Sequence, residues 1–272
     1  MKILSKIIII FSVLSITVLL FWVFCSVLEL DFCIDFYSIL YYWDHIFSGF
    51  LLTMWLYGWA LIMGFFLGLM LAILRQYGGP ILSRVATGYI EIMRGTPLLV
   101  QLLFLYFLPS SLNIPVGDWS LEASFRMLDR DITIILLNHR TLIGLLTLGL
   151  NSAAYQAEYL RGAILSVGSD QLMAAQSLGM SRLAGIRHVV LPQALRRVIP
   201  AWSNEAAYLP KYTIVVYFIG VQDLFAESHY TVAFTFLPLA TYALTAIIFL
   251  VIITIISKVL DTIHKRTMIP GL

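Results

Sequence analysis

Long apolar runs separated by short polar stretches dominate the chain, and this pattern predicts a membrane protein. About 20 apolar residues are needed to cross the roughly 30 Å of hydrocarbon in a bilayer. Such runs occur six times, the third and fifth of them interrupted by charged residues and proline, and we predict spans at Ile7–Leu28, Phe50–Leu74, Val85–Leu108, Thr141–Leu160, Ala201–Val221 and Phe234–Ile256. The expected fold class is therefore an all-α integral membrane protein.

The first run could also be a cleaved signal peptide. Its apolar stretch, Ile7–Leu28, is longer than the roughly 7–15 residues of a signal h-region, and no convincing cleavage site of small residues follows it. We therefore expect a helix that is retained in the protein.

Composition agrees with a membrane location and excludes a soluble globule. The 272 residues are 60% hydrophobic and 12% charged, whereas soluble domains contain about 25% charged residues. The two cysteines, Cys25 and Cys33, are too few for a disulfide framework.

The distribution of lysine and arginine predicts the orientation. Most of these residues precede the first span, follow the sixth, or lie between the second and third and between the fourth and fifth spans. The segment 29–47 instead carries four acidic residues and neither lysine nor arginine. Because basic loops stay on the cytoplasmic side, we expect both termini in the cytoplasm and a long outer loop around Pro109–Asp131.

The cytoplasmic segment 161–200 is neither a span nor a plain turn. Asp170 can cap a short helix, Gly179 can end it as a left-handed residue, and Ser181 can cap a second helix that runs to about Val190. Pro192 is expected to stop that second helix. The pattern predicts a hairpin of two short helices around a glycine hinge.

Two roles for this hairpin remain open from the residues alone. Arg182 and Arg187 favour an amphipathic helix that lies on anionic lipid. The small residues Ala174 and Ala175 favour a docking surface, because they let the backbone of a partner come close.

Charged and polar residues inside the spans are the candidates for function. Lys211 is the sharpest, because a charge in a span costs roughly 2.5–3.5 kcal/mol on insertion scales, and Pro210 beside it invites a broken helix. A snorkelling or ion-paired lysine is the alternative. Glu158 could line a passage or simply pair with Arg161 three residues later. Asn204 and Thr213 are weaker candidates for polar lining.

The third span has its own polar entry. Thr96 and Pro97 suit the N-cap and first position of a helix. Arg94 could pair with Glu91 on the same helix face or hold this span against its neighbours.

Catalytic motifs are absent from the sequence. It contains no GxxxxGK[ST] phosphate-binding loop, no HExxH and no GxSxG, and no two histidines have metal-ligand spacing. We therefore predict neither catalytic residues nor a metal site, and any ATP hydrolysis must take place on another chain.

Four motif blocks resemble one transporter family. Residues 171–181 read QLMAAQSLGMS and are followed by VLPQA at 190–194, which resembles the EAA loop of ABC importer permeases. The runs YIEIMRGTPLLVQ at 89–101 and AYQAEYLRG at 154–162 look like blocks of the polar amino-acid branch (histidine, glutamate, glutamine, arginine and opine transporters). KYT at 211–213 with IGV at 219–221 resembles a fourth block of that branch.

The resemblance implies a membrane-spanning permease subunit of an ATP-driven amino-acid importer, multi-pass in the bacterial cytoplasmic (inner) membrane. It implies a five-helix core preceded by one extra helix. Residues 1–46 would form that helix and its external loop, and residues 47–260 the transmembrane domain with a coupling hairpin at 170–200. Residues 261–272 would form a cytoplasmic tail. The implied partners are an ABC ATP-binding subunit that carries ATP and Mg, a periplasmic or lipid-anchored solute-binding protein, and a second permease copy or paralogue, all in membrane lipid and without nucleic acid.

The implied roles fall into three groups. The residues implied in coupling to the ATPase are Gln171, Ala174, Ala175, Gly179, Leu191 and Pro192. Those implied in the substrate passage are Glu158, Asn204, Lys211 and Thr213. Those implied in a structural motif are Arg94, Gly95, Thr96 and Pro97. The chain departs from the family pattern at Met173, where the glutamate of the motif is expected, and at Tyr212 and Ile214. A secondary transporter driven by an ion gradient is the alternative function, but it leaves the cytoplasmic hairpin without a purpose.

Overall fold

A computed structural model describes residues 38–267 of the chain. The predicted first span, Ile7–Leu28, and the last five residues of the predicted tail lie outside the described residues. The helices are α1 (Trp43–Tyr77), α2 (Gly79–Gly95), α3 (Leu98–Ser111), α4 (His139–Val167), α5 (Ser169–Ser177), α6 (Arg182–Gly185), α7 (Leu191–Arg197), α8 (Ile199–Tyr212), α9 (Leu224–Thr235) and α10 (Pro238–Thr267). Two strands, β1 (Ser120–Met127) and β2 (Arg130–Asn138), stand between α3 and α4.

The two strands correct the all-α prediction. They form an antiparallel hairpin in which Ser120 lies opposite Asn138 and Met127 opposite Arg130. Strand β1 lies within the predicted outer loop around Pro109–Asp131, and β2 continues beyond it. Alternating polar and apolar residues along β1 and the β-branched residues of β2 favour strands. The connection uses two residues, Leu128 and Asp129, with φ of 48° and 61°, as a type I′ hairpin turn requires.

Helices α1 and α4 pack against each other at the centre of the molecule. Ala60, Gly64, Gly68 and Ala72 are spaced four apart on α1 and are all buried, so they form one small-residue stripe. A Cβ added to Gly68 would lie 2.9 Å from the carbonyl oxygen of Ala153 on α4. The two backbones therefore come close enough that only glycine fits at this point.

The predicted third span is two helices rather than one. Helices α2 and α3 meet at an angle of 108°, because Thr96 and Pro97 between them are both extended, with ψ of 146° and 133°. The residue before a proline is pushed out of the α region. The expected capping is wrong by one position: Pro97 is the N-cap residue of α3, and the Thr96 hydroxyl donates to the Ile92 carbonyl of α2 instead.

The cytoplasmic hairpin of the prediction exists, and we call residues 169–190 the knob. Gly179 has φ +87°, and the N–H groups of Met180 and Gly179 donate to the carbonyls of Ala175 and Gln176, which is the Schellman helix ending. Ser181 caps α6 by accepting from the Ala184 N–H. Both predictions are confirmed.

Two other expectations for the hairpin are wrong. Asp170 does not cap α5, which begins at Ser169 after Gly168. Pro192 does not stop the second helix, because a π-helical turn, Ile186–Val190, leads from α6 directly into α7. Pro192 lies in the first turn of α7, directly after this π-helical turn, so it is accommodated where the regular α-helical hydrogen-bond pattern is already interrupted.

The last two predicted spans are also divided. Helix α8 runs through Pro210 and then tightens into a 3₁₀ helix at Thr213–Ile219, so the break expected at Pro210 is a change of helix type a few residues later. Helix α9 follows, and α10 begins at Pro238 rather than at Phe234. Phe236, with φ 56°, turns the chain between them.

Within residues 38–267, two helices are long and apolar enough to cross a membrane by themselves, namely α1 and α10. The bent pair of α2 and α3 adds a third if it is counted as one span. Helix α4 is 29 residues long, but its buried face carries polar side chains, so it does not stand out by hydropathy. The count of six spans stays a prediction.

The α1–α4 contact yields a stability prediction. Gly68→Ala should lower the thermal unfolding midpoint of the detergent-solubilised protein, because the new Cβ meets α4 backbone and forces the helices apart, at a cost of about 1–3 kcal/mol. Gly58→Ala on the same helix is the matched control, since no atom lies within 4 Å of its added Cβ. Equal midpoints for the two variants would contradict the close packing.

Candidate functional site

One face of α8 carries polar and aromatic residues. Asn204, Tyr208, Lys211 and Tyr212 are all exposed, and their spacing of four, three and one residues places them on one side of the helix. The Lys211 ammonium lies 4.5 Å from the centre of the Tyr208 ring. In the described part of the chain Lys211 makes no salt bridge. We call these four residues the α8 face.

Thr213, the other polar candidate on this segment, does not belong to the α8 face. Its side chain is fully buried, and its hydroxyl donates to the Pro210 carbonyl at 2.8 Å. This bond satisfies a carbonyl where the α-helix changes to a 3₁₀ helix, so the geometry favours a structural role for Thr213.

A buried polar network lies behind the α8 face. Glu205 is 3% exposed and accepts a hydrogen bond from the Ser152 hydroxyl at 2.7 Å. The Gln156 amide donates to Ser152 and to the Leu61 carbonyl, and it accepts from the Trp202 indole at 2.7 Å. The network therefore ties α8 to α4 and α1, and Glu205 is not the counter-ion of Lys211.

Sequence reasoning did not assign roles to Ser152, Gln156 and Trp202. Two signals were available, because Gln156 lies within the block at 154–162 and Glu205 is an acidic residue inside a predicted span. Their partners lie 46 to 95 residues away along the chain, which no local pattern reveals.

Three arginines surround Glu158, which follows Gln156 by two residues on α4. Arg161, on the same helix, donates to Glu158 at 2.8 Å, which confirms the predicted pair. Arg75 of α1 also contacts the carboxylate, and Arg94 of α2 lies 3.8 Å from it. Glu158 therefore holds α1, α2 and α4 together and has no free charge to offer an ammonium group.

Arg94 thus holds the bent span against α4, which is one of the two roles predicted for this residue. It reaches Glu158 across helices, and its guanidinium lies 5.3 Å from the Tyr155 ring centre. No ion pair with Glu91 is formed.

The bend between α2 and α3 is held by side-chain amides. The Gln101 amide donates to the carbonyls of Met93 and Thr96 and to the Thr96 hydroxyl. The Asn151 amide of α4 donates to the Met93 carbonyl and to the Gln101 side chain. These bonds supply partners for carbonyls that the broken helix leaves free. Gly95 lies at the bend with open space around its Cα.

The knob presents large apolar side chains to its surroundings. Met173, Leu178 and Leu183 are 55%, 86% and 75% exposed. Of the residues predicted to couple to a partner, Gln171, Ala174 and Gly179 are exposed on α5 and at its end. Large apolar side chains and predicted coupling residues are therefore exposed on the same short segment.

The other predicted coupling residues lie inside or beside the knob. Ala175 is buried, and an added Cβ on Gly185 would meet both Ala175 and Leu172, so Ala175 packs the knob against itself. Leu191 is partly buried against the hydrophobic cluster formed by α4 and α7, whereas Pro192 is exposed.

Comparisons with known proteins identify the class of membrane protein. Residues 64–269 match the family described as "Binding-protein-dependent transport system inner membrane component". The chain belongs to this family. It is 33% identical over 220 residues to the glutamine transport system permease protein GlnP of Escherichia coli K12, covering 80% of this chain and 91% of GlnP.

Other relatives support the same assignment. The chain is 32% identical to the histidine/lysine/arginine/ornithine transport system permease protein HisM of Escherichia coli K12, covering 81% of this chain and 87% of HisM. A solved structure described as an amino acid ABC transporter with histidines matches with a TM-score of 0.71 at 30% identity, covering 85% of this chain and 98% of that one. The resemblance expected from the four motif blocks is confirmed.

Proposed function

We propose that the chain is the membrane-spanning permease subunit of an ATP-driven amino-acid importer in the bacterial inner membrane. Both termini and the knob lie on the cytoplasmic side, and the β-hairpin lies outside. A separate ABC subunit binds ATP and Mg, and its closure switches the permease between outward and inward access. The exposed apolar tip of the knob is the observation that carries this proposal.

The knob is suited to dock into a soluble partner. Burying an exposed leucine gains roughly 1.5–3 kcal/mol, so Leu178 and Leu183 at the tip provide a strong driving force for association. The tip is held rigid by the Schellman ending at Gly179 and by the capping Ser181, so little ordering is required on binding. An ATP-binding subunit with an apolar cleft fits this surface.

Contact with lipid explains the knob less well. A lipid-bound amphipathic helix presents its cationic residues beside its apolar face. Of the two arginines expected to face lipid, Arg187 is exposed on the π-helical turn, but Arg182 is directed back to the Tyr77 ring, 5.8 Å away. Met173, which stands in place of the glutamate of the motif, extends the apolar surface. We therefore expect the ATPase cleft to make an apolar contact at Met173.

The α8 face is proposed to line the solute passage. A lysine without a carboxylate partner is unfavourable against lipid, so this face is placed against the same face of a second permease copy or a paralogue. The Lys211 ammonium then meets the α-carboxylate that all amino acids share, and Tyr208, Tyr212 and Asn204 offer aromatic and amide contacts. A solute-binding protein delivers the amino acid from outside, as the family description supports.

The knob predicts a specific loss of coupling. Leu178→Glu should abolish co-purification of the ATP-binding subunit and ATP-dependent uptake, because a carboxylate would have to be buried in an apolar cleft. Leu128→Glu is the matched control, since Leu128 is 76% exposed at the opposite end of the molecule, and it should leave co-purification unchanged. Normal ATPase binding by Leu178→Glu would contradict the docking role.

The α8 face predicts a loss of transport without loss of assembly. Lys211→Met should abolish amino-acid uptake in reconstituted vesicles, while the complex with the ATP-binding subunit still purifies intact, because the substitution removes the charge that faces the carboxylate. Lys258→Met, at an exposed lysine near the end of α10, serves as control and should transport normally. Unchanged uptake kinetics for Lys211→Met would rule out its role in the passage.

A further inference from the structure

A pocket at the hairpin end of the molecule lies outside the α8 face and the knob. It has a volume of about 280 Å³ and is formed by the first turns of α1, by β2, by α9 and by the residues before α9. Under the proposed orientation it opens to the outside. The lining residues that define its chemistry are Asp44, His45, Asp131, Gln222, Glu227 and Tyr230.

Acidic side chains outnumber cationic ones around this pocket. Arg130 donates from Nη1 to both carboxylate oxygens of Asp44, each at 3.1 Å, so these two charges compensate each other. His45 Nδ1 lies 3.0 Å from Glu227 Oε2, and the two share a proton or form an ion pair. Asp131 is exposed and forms no salt bridge among residues 38–267, although Arg126 stands opposite it in the hairpin and pairs with Asp129 instead. The lining itself therefore carries three carboxylates and one histidine, and the two arginines lie outside it.

One wall of the pocket is flat and aromatic. The rings of His45 and Tyr230 are stacked, with centroids 4.7 Å apart and an angle of 29° between their planes. Gln222 adds a neutral polar residue to the lining. An aromatic wall with carboxylates at its edge is the arrangement that binds planar guanidinium and ammonium groups.

The lining favours an organic cation over a metal ion. Among residues 38–267 no group of three histidine, cysteine, aspartate or glutamate residues has a geometry that could hold a metal. The volume is close to the lower end of small-molecule sites, about 300 Å³, and accommodates the end of a side chain. The fixed negative charge in a concave site also raises the local concentration of small cations.

We propose that this pocket is an entry site for the guanidinium or ammonium group of a basic amino acid, which it captures before the solute enters the passage. The inference rests on the proposed function and names its substrate class. The pocket would bind the side-chain end of the solute, and Lys211 would bind its carboxylate. Because the two contacts use opposite ends of the solute, it can move from the pocket to the passage.

The binding test uses the full-length chain in lipid nanodiscs and titration calorimetry with three probes. Arginine and agmatine, which lacks the carboxylate, should both bind, whereas citrulline, which has a neutral urea group in place of the guanidinium, should bind at least about tenfold more weakly. Retention of agmatine binding distinguishes this pocket from a site that depends on the carboxylate and Lys211.

A matched pair of variants locates the site. Asp131→Asn should weaken agmatine binding about three- to tenfold, because it removes one of the three carboxylates that line the pocket. Asp118→Asn changes the same functional group at an exposed aspartate in the loop before β1, outside the lining of the pocket. This control should bind agmatine normally.

Several outcomes would overturn the inference. Citrulline binding as tightly as arginine would do so, and so would an unchanged affinity in Asp131→Asn. If agmatine fails to bind and Asp131→Asn instead weakens docking of the solute-binding protein, the pocket receives a basic side chain of that protein and not a solute. If neutral amino acids are taken up with ATP but agmatine does not bind, only this inference is contradicted. If no amino acid is taken up with ATP, the proposed function is contradicted as well.

Discussion

The close approach of α1 and α4 is the constraint on which the rest of the molecule depends. The stripe of Ala60, Gly64, Gly68 and Ala72 lets α4 approach to backbone contact. At that distance the Gln156 amide reaches the Leu61 carbonyl of α1. Apolar surface provides little net attraction between helices in lipid, so association rests on such packing and on interhelical hydrogen bonds. The α1–α4 pair is therefore the frame to which the bent span and α8 are attached.

The attachments to this frame set the functional geometry. Ser152 and Gln156 of α4 hold Glu205 and Trp202, which fixes the rotation of α8 and turns Lys211 away from the frame. Nearer the knob along α4, Glu158 contacts arginines of three helices. The knob and the α8 face are thus connected through one helix, which provides the route by which the proposed ATPase contact at the knob would act on the proposed passage.

Features that depend on neighbouring residues could be predicted from the sequence, whereas contacts between residues far apart in the chain could not. The left-handed Gly179 and the capping Ser181 depend on neighbouring residues and were predicted correctly. Pro97 indicated an interruption of the third span, but the 108° bend is held by Gln101 together with Asn151, which lies 50 residues away. The β-hairpin of β1 and β2 was not predicted, because its alternating pattern of polar and apolar residues follows a run of turn residues. The pocket at the hairpin end is lined by Asp44, Asp131 and Glu227 from three separate elements, so no sequence motif predicts it.

Uptake by the full complex in proteoliposomes, with ATP supply and ion gradients controlled independently, tests the central claim most directly. Accumulation of amino acid should require ATP on the side of the knob and solute-loaded binding protein on the opposite side, and it should persist when proton and sodium gradients are collapsed. Uptake that follows a proton or sodium gradient in the absence of ATP would contradict it and favour a secondary transporter.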